Sequence, residues 1–239
     1  MTRTTRKKTV LGFSYTLLII IGIGVAFPIY WLTITALKTY PEIYGYPITY
    51  FPQNITFEHF RQIGNMGFFK HFVNSLIVSG GTMIMSLLIG LFPAYAFSRY
   101  SFRGRGGLLA TALLFQMFPM AVLLLPIFQM LFGMGLLNTH QGLIIAYLPF
   151  TTPITIVFLR SFFITVPKVL EEAAIIDGAS FGQAFFRIIL PITLPGIAAV
   201  GIYTFLFSWA ELMYSMSILV TTDMQNIPAF LSVFVGEYQ

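Results

Sequence analysis

Cysteine is absent from this chain of 239 residues. Its absence removes disulfides, thiolate nucleophiles and cysteine-based zinc sites, and it leaves the cellular compartment open. Charge is almost as scarce, at 9% of residues against 57% hydrophobic. Soluble globular domains carry about 25% charged residues, so a surface that faces water throughout is excluded. Lysine is also missing where phosphate chemistry would need it. No lysine follows a glycine, so the chain has no phosphate-binding loop of the Gly-Lys type. The three histidines, His59, His71 and His140, are scattered without metal-ligand spacing. An intramembrane enzyme would need clustered His, Asp or Ser-Lys groups, and no such cluster is written here.

The missing charge is missing in blocks. Residues 9–37, 71–98, 106–159 and 188–210 contain no Asp, Glu, Lys or Arg. A membrane-spanning helix needs roughly 20 mostly apolar residues. The first, second and fourth blocks each fit one span. The third fits two, with a break at the Gly-rich segment 133–140. Five spans are therefore expected, at about 11–37, 72–97, 107–131, 141–162 and 190–216. They must be helices, because lipid cannot satisfy open backbone polar groups. A barrel would alternate apolar and polar residues over about 10 positions, and these runs are continuous. The fold class is thus all-α: a polytopic transmembrane helical bundle, expected to form a single domain over residues 1–239. The first apolar run exceeds the roughly 7–15 residues of a signal-peptide core, so it reads as an uncleaved span.

Basic residues orient the chain. Arg3, Arg6, Lys7 and Lys8 precede the first span; Arg99, Arg103 and Arg105 follow the second; Arg160 stands at the inner end of the fourth, and Lys168 and Arg187 follow it. Positive segments stay cytoplasmic, which puts the N-terminus inside and the tail after the fifth span outside. Ten of the thirteen basic residues lie in these inner segments. The net charge of +5 is then an attraction to anionic lipid, and nucleic acid is not implied. The outer loop 38–70 carries Pro41, Pro47, Pro52 and a run of aromatics, and Tyr30 with Trp31 suits an interfacial anchor.

Polar residues inside the spans mark a candidate translocation path. Gln116 and Gln129 flank Pro119 and Pro126 in the third span, which suits either a broken helix lining a path or hydrogen bonds between helices. Glu211 is the only acidic residue inside an expected span, a functional candidate by default, although it sits near the outer end. Trp209 lies beside it. Pro28, Pro93, Pro119, Pro126, Pro149, Pro153 and Pro195, inside the spans, predict kinked helices.

The inner loop 163–189 is the most informative segment. Pro167 suits a first helical turn, and Glu171, Glu172, Ala173 and Ala174 favour helix. Gly178 suits a C-terminal cap. Ser180 with Gln183 has the form of a capping box. Two short helices joined by a glycine turn are expected. The first is amphipathic, with Val169, Leu170, Ala173, Ala174 and Ile176 against Lys168, Glu171, Glu172 and Asp177. A helix lying on the membrane should be basic; this one is acidic at its centre, which favours a groove on a protein partner.

Glu172-Ala173-Ala174, three residues, Gly178, nine residues, Ile188, one residue, and Leu190-Pro191 resembles the EAA motif of permease subunits of ABC importers. The stretches 177–180, 191–196 and 207–211 resemble the maltose and oligosaccharide type, in particular the smaller permease of the pair. The resemblance runs from about Tyr30 to the end. It implies a second permease subunit, two ATPase subunits that hold the ATP and Mg, an external solute-binding protein and a sugar substrate. It also implies a prokaryotic inner or plasma membrane, no catalytic residue or metal, and no cofactor on this chain. The coupling residues it implies are Glu171, Glu172, Ala173, Ala174, Asp177, Gly178, Ile188, Leu190 and Pro191, with Glu172 as the ionic contact. The segment around Thr221 to Pro228 resembles the part that faces the binding protein. The family has Asn where Ala210 stands, and a sixth span that these residues do not supply. An ion-coupled secondary transporter is the alternative; it would need ionisable groups at the bilayer midplane.

Overall fold

A computed structural model of the chain describes residues 3–237; the regular structure among them is helical, with no strand. They form two units, Met1–Phe68 and Phe69–Gln239. Among the described residues, four helices are long and apolar enough to cross a membrane: Ser14–Ala36, Phe68–Arg99, His140–Thr165 and Phe181–Ala210. These correspond to four of the five expected spans.

In the first unit, α1 (Arg3–Ala36) is apolar all round over its spanning part, the pattern of a membrane-spanning helix. The loop that follows is held by buried charge. Lys38 donates its ammonium to the Thr49 carbonyl and lies 4.9 Å from the Trp31 ring centre. Glu42, on the short α2 (Tyr40–Ile43), accepts from the Gln53 amide at 2.7 Å and the Thr49 hydroxyl at 3.1 Å. That amide bond is the main cause holding the Glu42 carboxyl below the usual range. α3 (Glu58–Asn65) closes the unit, with His59 bonded to the Lys38 carbonyl at 2.8 Å.

The second unit is built on α4 (Phe68–Arg99), α7 (His140–Thr165) and α10 (Leu190–Ala210). Its pattern is the inverse of a water-soluble bundle. Ser75, Ser79, Thr82, Ser86, Gly90, Ala94 and Ser98 form the buried stripe of α4, while Ile77, Ile84, Leu88 and Phe92 face outward. Small residues let helices approach closely where lipid removes the hydrophobic incentive to associate. Ser86 meets the Thr151 hydroxyl at 2.6 Å, and Thr155 meets Thr204 at 3.4 Å, so hydroxyls join α4 to α7 and α7 to α10. A Cβ added at Gly196 would lie 2.4 Å from the Phe162 ring, a measure of how closely α7 and α10 approach.

The expected third span is not one helix. α5 (Arg105–Phe115) and α6 (Met120–Gly133) meet at 94°. Pro119 removes a backbone donor and biases its predecessor away from helix, and 11 residues of α5 reach only about 16 Å. The expected fifth span is corrected at both ends. It begins at Phe181, and it stops at Ala210 because Glu211 turns extended (ψ 126°). The residues beyond form a separate helix, α11 (Met213–Ile218).

α7 starts where the Thr139 hydroxyl accepts from the Gly142 amide at 3.0 Å. A Cβ at Gly142 would lie 2.1 Å from the Leu136 carbonyl oxygen, which is backbone and cannot swing away. Gly142→Ala is expected to cost roughly 1–3 kcal/mol, as overpacking does, read as a lower melting temperature in detergent. Gly106→Ala, which meets open space, is the control that should leave the melt unchanged.

Candidate functional site

The inner loop folds as its residues dictate. α8 (Lys168–Ile176) follows Pro167, which stands one residue ahead of the first turn, at the N-cap. Its other end closes with two reversed bonds, Gly178 N–H to Ile175 O at 3.0 Å and Ala179 N–H to Ala174 O at 2.9 Å. That closure requires a left-handed residue, and Gly178 supplies it at φ 91°. Ser180 and Gln183 form the reciprocal capping box, which starts α9 (Phe181–Ala184).

Between α9 and α10 the helix widens into one π turn, Phe185–Ile189. Pro191 gives a physical reason. It has no N–H for the Arg187 carbonyl, and its ring would crowd that oxygen. A wider turn, in which the Leu190 amide bonds back to Phe185 O, relieves both. Phe181 to Ala210 therefore runs as one helical span through Ile188, Leu190 and Pro191.

The two faces of α8 differ sharply. Glu171 and Ala174 are buried, whereas Glu172, Ala173 and Asp177 are exposed. The apolar residues expected to cover one side divide as well. Val169 is 67% and Ile176 84% exposed, and Phe181 beyond the turn is 64% exposed. Glu171 and Glu172 therefore do different things. The Glu171 carboxylate lies 2.9 Å from Arg99 Nε as an ion pair and accepts from the Tyr95 hydroxyl. It faces into the unit and leaves Glu172 as the outward acid. Glu172, Lys168, Arg99, Tyr100 and Phe181 rim a cleft of about 190 Å³ beside the helix. Ile188 and Leu190 are half-buried and Pro191 is exposed.

Sequence reasoning missed Arg99, which enters there only as a positive charge after the second span. Its guanidinium also donates to the Val166 carbonyl at 3.1 Å. Lys168 donates to the Arg99 carbonyl at 3.3 Å, and Arg160 to Phe97 O at 3.2 Å. A cluster of Ala94, Leu159, Phe163, Val166, Phe185, Ile189 and Val200 underlies them.

The candidate path residues lie elsewhere. Gln116 sits at the α5–α6 break and donates to the Phe150 carbonyl at 2.7 Å. Gln129 is exposed on α6. Trp209 stacks on Phe205 at 5.4 Å and meets Phe72 edge-on at 5.7 Å. Glu211 accepts from the Tyr147 hydroxyl at 2.8 Å and from the Tyr214 and Ser215 amides at 3.0 and 3.4 Å. It thereby caps α11, whose Tyr214 hydroxyl donates to Met120 O at 2.9 Å. Gln116 and Glu211 both lean on the Tyr147–Phe150–Tyr214 aromatic cluster; the structure shows them as internal links.

The segment after α11 is strapped down at the end of the unit remote from α8. Asn74 donates to Asp223 O and Gln225 O, His71 bonds Gln225 O at 2.8 Å, and the Ile227 amide donates to Ser75 at 2.8 Å. Asn138 accepts from Thr221 at 3.0 Å. Lys70 pairs with Asp223 and holds its carboxyl below the usual range.

Against known proteins, residues 86–226 match the family of the Binding-protein-dependent transport system inner membrane component. The diacetylchitobiose uptake system permease protein DasC of Streptomyces coelicolor is 36% identical over 217 residues, 90% of this chain and 79% of that one. The trehalose transport system permease protein SugB of Mycobacterium tuberculosis is 33% identical over 213 residues, 89% of this chain and 77% of that one. A solved chain from a bacterial ABC transporter involved in the import of the acidic polysaccharide alginate superposes with a TM-score of 0.75. It is 22% identical and aligns over 99% of this chain and 81% of its own length, a likeness of fold.

Proposed function

Because the chain belongs to the family of binding-protein-dependent transport system inner membrane components, we propose that it is a membrane subunit of an ATP-driven sugar importer and takes the ATPase's motion through α8. Its relatives are permeases for diacetylchitobiose and trehalose, so the cargo class is a disaccharide or short oligosaccharide. A second permease completes the path, an external binding protein delivers the sugar, and two ATPase subunits hold the ATP and Mg.

The carrying observation is the two-faced α8. One face is fixed to the unit through Glu171 and Ala174; the other offers Glu172 among Val169, Ala173, Ile176 and Phe181. Apolar anchors at helical spacing suit a groove, and the exposed carboxylate suits a basic residue on its rim. Arg99, Arg160, Lys168 and Arg187 put this end in the cytoplasm by the positive-inside rule. The N-terminus, with Arg3, Arg6, Lys7 and Lys8, is placed there by the same rule. The strapped segment 221–227 then faces outward, where a binding protein docks.

Glu172 is exposed at a helix surface and Glu211 is committed to Tyr147 and α11, so neither supplies the midplane proton site an ion-coupled carrier needs. Uptake is the test. Proteoliposomes holding the assembled importer and its binding protein are offered radiolabelled diacetylchitobiose, trehalose and a galactooligosaccharide. Accumulation should require ATP on the ATPase side and survive an uncoupler. Accumulation that collapses with the uncoupler and ignores ATP would overturn the reading.

A further inference from the structure

The backbone joins α8 to only two of the helices it would have to move. Through Val166 and Pro167 it continues from α7, and through Gly178 and the π turn it continues into α10. α4 is remote in sequence, yet its last turn is fastened to α8 by polar contacts. Arg99 lies 2.9 Å from the Glu171 carboxylate, with side-chain exposures of 6% and 10%. The Tyr95 hydroxyl, one turn earlier, donates to the same carboxylate. Arg99 also reaches Val166 O, and Lys168 returns a bond to Arg99 O. Beneath them the Tyr95 ring meets Phe163 at 5.7 Å and Phe185 at 4.7 Å.

We propose that the Arg99–Glu171 pair is a tether that makes α4 follow α8, so that motion entering at the coupling helix is delivered to three helices instead of two. The inference rests on the reading of α8 as the ATPase contact. Three features support it. The pair sits within the elbow between α7 and α8, where a pull on α8 is felt first. It is shielded from water, so the ions attract more strongly than an exposed pair. The guanidinium spans two elements at once, holding Glu171 on α8 and the Val166 carbonyl ahead of it. Arg99 and Glu171 are positioning residues in this scheme; the exposed Glu172 remains the partner contact.

The absence of cysteine allows a direct test in the assembled importer. Arg99→Cys/Glu171→Cys places the sole thiol pair of this subunit across the tether. Sugar moved per ATP hydrolysed is measured in proteoliposomes, with the radiolabelled sugar that the wild type accumulates, before and after the thiols are joined by a short bis-maleimide. The unjoined variant should keep its ATPase bound yet move roughly tenfold less sugar per ATP, within the usual span of coupling energies. Joining should restore most of the ratio, which a general folding defect would not allow. A wild-type ratio in the unjoined variant, or a ratio that joining lowers or leaves unchanged, would overturn the tether. Glu172→Lys is assayed beside it for bound ATPase. If that variant keeps the ATPase bound and coupled, the α8 reading itself falls, whatever the linker does.

Discussion

Glu172→Lys is expected to abolish sugar uptake while the chain stays in the membrane at its normal level. The side chain is exposed on α8 and has no ion pair or hydrogen bond among the described residues, so replacing it removes nothing the unit needs. The effect must therefore come from a partner. Around it lie Val169, Ile176 and Phe181, each at least 64% exposed. A groove that encloses such anchors also desolvates the carboxylate between them. Truncating one member of a buried, hydrogen-bonded charge pair costs roughly 2–5 kcal/mol of affinity, and reversing the sign adds repulsion. The measurements are ATPase co-purified with the tagged chain and uptake in the same vesicles. Ile176→Asp should weaken retention in the same direction through the apolar part of the contact. Full retention of ATPase and uptake by Glu172→Lys would remove α8 from the coupling path.

That expectation separates two neighbouring acids that composition treats alike. Successive residues of a helix point about 100° apart, so Glu171 and Glu172 cannot both face a partner squarely. Spacing alone pairs Glu171 with Ala174 and Glu172 with Ile176. It does not say which pair turns inward. The choice is made by Arg99, 72 positions away in sequence, and no local pattern carries it. The signals that were legible are local ones. Ser180 and Gln183 write the capping box and Gly178 writes the left-handed closure, and both form. Charge-free blocks write four long spans, because exclusion of charge from lipid needs no tertiary information.

The rest depended on context. Apolar continuity across 107–131 cannot show a 94° bend, since both limbs are equally apolar; Pro119 marks the place without giving the angle. The π turn is similar, for Pro191 predicts a local accommodation and packing selects its form. The stripe from Ser75 to Ser98 was readable in principle as small residues at helical spacing. It is masked by reading only for apolar length, since a span's core face in lipid is its less greasy one.

Glu211 provides the other large effect, and one in which two substitutions should diverge. Glu211→Gln keeps an acceptor for the Tyr147 hydroxyl and the Tyr214 amide, so uptake should stay near wild type. Glu211→Ala keeps none. It orphans the fully buried Tyr147 hydroxyl and uncaps α11, and each unsatisfied buried group costs about 1–3 kcal/mol. α11 holds Tyr214 against Met120 at the α5–α6 bend and Ser215 against Asn226 of the strapped segment. Its loosening should spread to both, lowering the melting temperature in detergent and the amount of importer recovered. A proton-carrying or ion-carrying role predicts a different order. There the Gln variant, folded and thermally normal, would be the one that fails to transport, because it cannot ionise. Paired melts and uptake assays of the two variants distinguish a cap from a carrier. Normal folding with lost uptake in Glu211→Gln would return this carboxylate to the translocation path.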